Sequence, residues 1–541
     1  MLISDILNEI NNTIATNKNP LYSSNLYWSQ KAYNICDILI EHLSKENDII
    51  LDPFMGSGVS IIEAIKLNRK AIGFEINSLP IFLTETLLEN FDIEELKDNI
   101  EKFFKKFYLI NKDKYITTCN FCGNFANIKK IVFNRENRKS IPDIKEIYYE
   151  CSCSNKVLVK NPEELDIDKC LNHEVKKEFK LIENSRLAVL ADEDLSILFT
   201  PRNYSIIINY LKEISKIENE KIKKALIYIL ISSIHLLKIT DLKSNSQWPL
   251  WTPKEKCVEK NALVILKKKK EAFFKAILYK NKEFKTDITP AFRYSDLVEN
   301  NFMIKKEAAQ NINKFLPKES VDLIITDPPY MGQVLYSEYL QLYKMIPGMD
   351  INLIDEIVIS NAKGRIKTED IYFEMLENSF QAIAKTLKPN KYFCLYFHDS
   401  SLEVWSKIIS ILNKNNLSFI KMCHINKEKN TLKKILDPQK SLNGDALLIF
   451  QKKEKINCCF KEKNINDIEE DIRIIVENLI LKREIQGITT AQVYDNGVLE
   501  YLINYNYLEY LSSKYKSLIP ILKKYFLWNQ QLGVWQILNT K

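Results

Sequence analysis

Glycine is scarce in this chain. Eleven of 541 residues are glycine, about 2% where roughly 7% is usual, so the few places where backbone can turn tightly stand out. Long apolar runs are missing too. The best candidate, ALIYILISSIHLLKI (225–239), is shorter than a membrane span and carries His235, so it reads as a buried helix. No secretory leader is expected, because MLISDILNEINNTIATNKNP has acids and amides where a leader needs an apolar core. The eleven cysteines are mostly scattered, as in a reducing cytosol, apart from one cluster. These absences argue for a soluble cytoplasmic protein with no membrane partner. Hydrophobic residues at 46% and aromatics at 11% exclude a disordered chain. The length exceeds one compact core and implies two to four domains. A formal net charge of +7 is compatible with a polyanionic partner without requiring one.

Two of the rare glycines, Gly56 and Gly58, fall within three residues in NDIILDPFMGSGVSIIEAIKLNRKAIGFEIN (47–77). The pattern predicts a strand over 49–51, a tight turn over 52–58, a helix over 59–67 and a strand over 71–74 ending on Glu75. Glycines at a strand-to-helix turn let backbone approach a ligand, and an acid ending the next strand can accept hydrogen bonds from ribose hydroxyls. Asp52, Phe54, Gly56, Gly58 and Glu75 thus point to an adenosine-containing ligand. The pattern Phe-x-Gly-x-Gly is not the dinucleotide fingerprint.

A second feature, VDLIITDPPY (321–330), ends a buried strand on Asp327, Pro328, Pro329 and Tyr330. An exocyclic amine on a nucleobase is a poor nucleophile because its lone pair is delocalised. The Asp327 carboxylate and the Pro328 carbonyl, directed by a fixed φ, could accept its two N–H groups and draw nitrogen toward sp³ geometry. Pro329 stiffens the turn, and Tyr330 offers a flat face for an extruded base.

Taken together the two features resemble the S-adenosylmethionine-dependent amino-methyltransferases, and more narrowly the adenine-specific DNA methyltransferases that contain a zinc ribbon. YWSQKAYNICDILIEHL (27–43) is similar to that family's cofactor-closing segment. CNFCGNFANIKK…YYECSC (119–153) is similar to its ribbon, and DPPYMGQVLYSEYLQLYKMI (327–346) to its tail after the tetrapeptide. LKPNKYFCLYFHDSSLEVW (387–405) and SLNGDALLIFQKK (441–453) are similar to the segments that finish its sheet. The resemblance implies an α/β fold: a Rossmann-like methyltransferase sheet split by a long insertion with a zinc ribbon and helices, plus a small helical C-terminal domain. The expected divisions are 1–114 and 286–455 for the two halves of the methyltransferase domain, 115–160 for the ribbon, 161–285 for a mostly helical target-recognition region and 456–541 for the last domain. It also implies methyl transfer from S-adenosylmethionine to adenine N6 in double-stranded DNA with the target base flipped out. Any restriction endonuclease partner would be a separate chain. Cytosine N4 and tRNA guanosine N2 are the alternative amines. Gln30 and Lys31 become candidates for the cofactor carboxylate, with a solvated helix-start lysine the alternative for Lys31. One departure concerns the Gly-Asp pair that many relatives carry before the tetrapeptide. Here the place reads KKEAAQNINKFLP (305–317), with Ala308 and Ala309, so the adenine contact falls to backbone amides or Asn311.

Cys119-x2-Cys122 and Cys151-x-Cys153 suit a tetrahedral Zn²⁺ held by four thiolates, a structural site with no open position. Reduced, unligated thiols are the alternative. Residues 160–285 carry Ile, Leu and Tyr at helical spacing. SNSQWPLWTPKEK (244–256) sets Trp248 and Trp251 beside Lys254 and Lys256, either to stack and contact phosphate or to cap a core. In KKKKEAFFKAILYKNKEFK (267–285), Phe273, Phe274, Ile277 and Leu278 are expected to share one buried face with lysines outward. From about 456 the chain reads as helical, broken at REIQGITT (483–490), with no nuclease signature.

Overall fold

The computed structural model describes residues 2–242, 248–284, 287–332, 334–362, 364–427, 439, 442, 445–455, 462–481 and 487–538. Residues 244–247 of the tryptophan loop, Lys285, parts of the 441–453 motif (441, 443 and 444) and 483–486 of the C-terminal break lie outside them.

The chain lays down β1 (Ile14–Ala15), β2 (Ile49–Asp52) and β3 (Lys70–Glu75) first. An insertion follows, with β4 (Ile116–Thr118), β5 (Phe125–Asn134), β6 (Asp143–Glu150), β7 (Leu158–Lys160), β8 (Thr240–Asp241) and β9 (Cys257–Lys260). Then come β10 (Phe302–Lys306), β11 (Val321–Thr326), the hairpin β12 (Ser360–Ala362) and β13 (Arg365–Lys367), β14 (Leu387–Phe397), β15 (Leu417–Lys427) and β16 (Asp445–Lys452). A last hairpin pairs β17 (Phe526–Asn529) with β18 (Val534–Ile537).

Eight strands form the main sheet in the order β10-β3-β2-β11-β14-β16-β15-β1. Neighbours run parallel except β16, which is antiparallel to β14 and β15. Side chains alternate across the pleat, and each face buries its own core. Ile50, Leu323, Ile325 and Tyr396 face the helices Ile3–Asn12, Tyr33–Leu43 and Val59–Lys66. Leu51, Ile324 and Leu395 face Glu369–Thr386 and Leu402–Lys414. Near-continuous Val, Ile and Leu in β11 is what a strand covered on both faces requires. This mixed α/β sheet, split in sequence by an insertion, is consistent with the expected methyltransferase fold.

In the insertion, β5 pairs with β4, β6 and β9. The strands that flank the cysteine turns therefore share a sheet with β8 and β9 from beyond the helices, rather than forming a ribbon apart. The apolar run forms the buried helix Glu220–Leu237. The lysine-rich helix Ala262–Glu283 buries Phe273 and Ile277 but exposes Leu278 (54%), correcting the expected face. Two of its lysines turn inward: Lys270 pairs with Glu101 at 2.5 Å, and Lys280 donates to the Glu89 carbonyl. The C-terminal unit is not wholly helical, since it ends in the β17–β18 hairpin. It shares the second core through Ile468, Ile472 and Leu502, and Asp495 accepts from the His424 ring at 2.7 Å. No described helix is long and apolar enough to cross a membrane.

Candidate active site

At the carboxyl edge of the sheet, β2 and β3 end on Asp52 and Glu75, and β11 runs into Asp327. Between them lies a pocket of about 770 Å³, counted to its open mouth. Gln30, Lys31, Phe54, Gly56, Glu75 and Asp327 all line it. The glycine turn and the tetrapeptide, remote in sequence, thus share one cavity.

The two glycines differ in what they do. Gly56 (φ +50) lies against the pocket, and a Cβ there would stand 3.0 Å from the Tyr27 ring. Gly58 (φ +73) begins the helix Val59–Lys66 between Ser57 and Val59, which both line the cavity, and a Cβ there would collide with the Thr84 side chain. Helix packing and backbone conformation both require glycine there. Asp52 likewise acts from beneath: fully buried, it accepts from Ser60 and from the Phe54 amide (3.2 Å) and pairs with Lys31 at 3.0 Å. Lys31 also donates to the Phe54 carbonyl. Lys31 is no solvated helix-start lysine. The Gln30 Nε2 amide is buried in the pocket wall with no hydrogen-bond partner, a donor awaiting an acceptor.

Glu75 accepts the Ile76 and Asn77 amides at 2.9 and 3.0 Å, yet burial pushes its carboxyl up to about 7. Burial also lifts Asp327 to about 7, against the opposing pull of Lys31. Tyr330 donates to Asp327 Oδ1, and its ring meets Phe397 edge-on at 5.5 Å. The tyrosine in this state is thus a partner of the carboxylate, beside the pocket rather than lining it. Pro328 is buried, and the Pro329 carbonyl accepts from Tyr372 at 2.7 Å, which anchors the turn.

Two stretches that sequence reasoning passed over complete the pocket. Glu307 follows β10, lines the cavity, and accepts the Ala308 amide (3.0 Å) and Asn311 (2.9 Å). Asn311 therefore serves Glu307 and does not line the pocket. The signal was present: an acid directly after a strand, as with Glu75. Glu356 and Ile357 arrive from a distant loop with no local signature. Glu356 is held by Arg365, which also pairs with Glu338 at 2.9 Å. Asn77 fastens the two halves together, bonding Ser337 (3.2 Å) and the Asn352 amide (2.9 Å).

In the insertion, the Sγ atoms of Cys119, Cys122, Cys151 and Cys153 all lie within 4.8 Å of one another, with closest separations of 3.5 and 3.6 Å. A zinc ion with four Zn–S bonds of about 2.3 Å requires sulfurs spaced in this way, so the donor set fits a metal.

A parallel-dominated sheet whose acid-tipped strands surround one cavity has the arrangement in which α/β proteins bind nucleotides. The family model described as DNA methylase matches residues 3–81. The type II methyltransferase M.MjaII of Methanocaldococcus jannaschii is 24% identical over 347 residues, 59% of this chain and 61% of its own length. The type II methyltransferase M.HindIII of Haemophilus influenzae is 46% identical over 50 residues, 9% of this chain and 16% of its own. The chain thus spans about three fifths of the first of these relatives and a sixth of the second. A solved structure of a candidate DNA modification methylase from Thermus thermophilus is 13% identical over 32% of this chain and 60% of its own, with a TM-score of 0.16, too low to carry an argument. These matches make the chain similar to DNA methyltransferases of the N6/N4 family.

Proposed function

We propose that this chain transfers a methyl group from S-adenosylmethionine to an exocyclic amine in double-stranded DNA, with adenine N6 as the target. The observation that carries the reading is the convergence of Asp327 and the Phe54–Gly56 turn on one cavity. The residues present suit the donor molecule. Gln30 Nε2 is an unpartnered donor for its carboxylate, with Lys31 beside it. Glu75 is placed for ribose hydroxyls, and Glu307 for the adenine amine. When bound, S-adenosylmethionine supplies an electrophilic methyl group on a sulfonium.

The protein's own part is positioning and electrostatics. Asp327 Oδ2 and the Pro328 carbonyl accept the amine's two N–H groups, which localises the nitrogen lone pair. Lys31, held by Asp52, favours the ionised carboxylate. Tyr330 gives up its bond to Asp327 when a base enters and stacks on it.

Target recognition falls to the insertion. The loop of residues 248–254 is gripped by three basic side chains. Lys238 donates to the carbonyls of Trp248 and Trp251, Arg138 to that of Leu250 (2.8 Å), and Arg135 to that of Pro253 (2.9 Å). This leaves Trp248 and Trp251 exposed at 55% and 39%, as stacking surfaces rather than core caps. Arg138 also donates to the Ala188 carbonyl, and nearby Arg186 stands against Gly332, two residues past the tetrapeptide. These contacts link the loop to the segment after the tetrapeptide and support a place for it beside the opening through which a base would enter. Zinc on the four thiolates would brace the same sheet.

Long-read sequencing of DNA from cells expressing wild type or Asp327→Ala tests the proposal. A modified adenine motif present only with wild type supports it. A modified cytosine motif would move the target to N4, and an altered tRNA with unmarked DNA would overturn it.

A further inference from the structure

The carboxyl edge of the sheet presents an ionisable group on strand after strand: Glu307 after β10, Glu75 on β3, Asp52 on β2, Asp327 after β11, His398 after β14, Asp445 on β16 and Lys427 on β15. Most of these have partners within the protein. Asp52 holds Lys31, Asp327 holds Tyr330, and Lys427 pairs with Asp445 at 2.5 Å. His398 differs. Both ring nitrogens, Nδ1 and Nε2, are withdrawn from solvent, and neither has a hydrogen-bond partner. A neutral imidazole offers one donor and one acceptor, and a buried polar group left unpaired in a native protein calls for an explanation.

The register locates this side chain. Thr326 stands opposite Leu395, so one step on, Asp327 stands beside Tyr396 and His398 is level with Pro329. Phe397 stands opposite Ala446, which puts His398 beside Asp445. Phe397, its chain neighbour, carries the ring against which Tyr330 rests. The cofactor turn lies on the β2 side of Asp327, and His398 lies on the β14 side. An amine held at Asp327, with its methyl donor toward β2, leaves the rest of its base extending toward β14.

We infer that His398 is a base-binding residue: its imidazole N–H donates to a ring nitrogen flanking the amine of the extruded base. This deepens the proposed function and rests on it. Adenine has two such acceptors, N1 and N7, and the 1-deaza and 7-deaza analogues each lack one while keeping the amine. Initial rates of wild type, His398→Ala and His398→Gln would be measured on duplexes carrying adenine or either analogue at the target.

Wild type should lose about tenfold or more in kcat/KM on one of the two analogues, the worth of one hydrogen bond to a polar partner. His398→Ala should lose a similar factor on adenine and nothing further on that analogue, and His398→Gln, which keeps a donor, should recover part. S-adenosylmethionine affinity and melting temperature of the variants should match wild type, which separates lost base contact from lost fold. His398→Ala within twofold of wild type on adenine would overturn the inference, as would losses from variant and analogue that simply multiply. A wild type inactive on every DNA would bring down the functional reading itself, and this inference with it.

Discussion

Glu75 and Asp327 face the same cavity as carboxyls that burial holds protonated to about pH 7. Donors arriving with a ligand favour the charged form, so cofactor binding should drive a proton off Glu75. Affinity should rise as pH approaches 7, and calorimetry at about pH 6.5 in buffers of different ionisation enthalpy should register the released proton. For Asp327 the ionised form accepts the amine, so kcat/KM for DNA should climb with pH and level off above about 7. Asp327→Asn should abolish that limb and most of the activity. The stability effect has the opposite sense. Both carboxyls titrate higher folded than unfolded (about 4), so their contribution is full below about pH 4 and is lost as pH rises toward 7. Bound cofactor should therefore raise the melting temperature more at pH 8 than at pH 5.5. At this scale the sequence was legible where chemistry is local, as at Asp327, Glu75 and the four cysteines. Glu307 carries the same mark as Glu75, an acid directly after a strand, but stands beside Ala308 and Ala309 where many relatives have a Gly-Asp pair. Glu356 and His398 escaped because only tertiary structure brings them to the edge.

The glycine turn, as an element, constrains backbone and packing at once. Gly58→Ala would place a methyl group onto Thr84 and hold alanine at φ +73, so it should cost at least about 2 kcal/mol of stability, measurable by denaturant melts. Gly56→Ala would hold alanine at φ +50 with its methyl 3.0 Å from the Tyr27 ring, so it should cost about 1 kcal/mol or more of stability and also weaken cofactor affinity, read by titration. In the loop of residues 248–254, Trp248→Ala should weaken DNA binding by about tenfold, in line with roughly 1–3 kcal/mol per stacked base, while S-adenosylmethionine affinity stays unchanged. The strand–turn–helix–strand pattern around this turn was readable because hydrophobic period and glycine placement agree. The lysine-rich helix was misjudged at Leu278 because a helix's buried face depends on neighbours that its own period does not specify, here Glu101 and the Glu89 carbonyl.

For the whole molecule, the four-thiolate site lies beside the insertion's own sheet and the cofactor cavity at the edge of the main sheet. Metal removal by a chelator, or Cys122→Ser, should lower zinc content and DNA affinity together while leaving cofactor affinity intact. Unchanged zinc content in the variant would argue for free thiols. The two-faced sheet and its division by an insertion were foreseeable from the order of motifs. The joining of β8 and β9 to the strands flanking the cysteines was not, since strand pairing at long separation leaves no mark on either segment alone.

That division has a temporal consequence. β2 lies between β3 and β11, and the Ile49 amide is satisfied by Asp322, 273 positions further along the chain. On a ribosome adding about 5–20 residues per second, the first half waits roughly 15–55 s for its partners. During that interval β2 and β3 have open edges and an apolar face, the features that invite aggregation. Synthesis of this protein should thus be more sensitive to chaperone supply than its finished stability suggests, and a nascent chain arrested before β10 should be cleaved by protease within 47–77, a segment the completed fold protects.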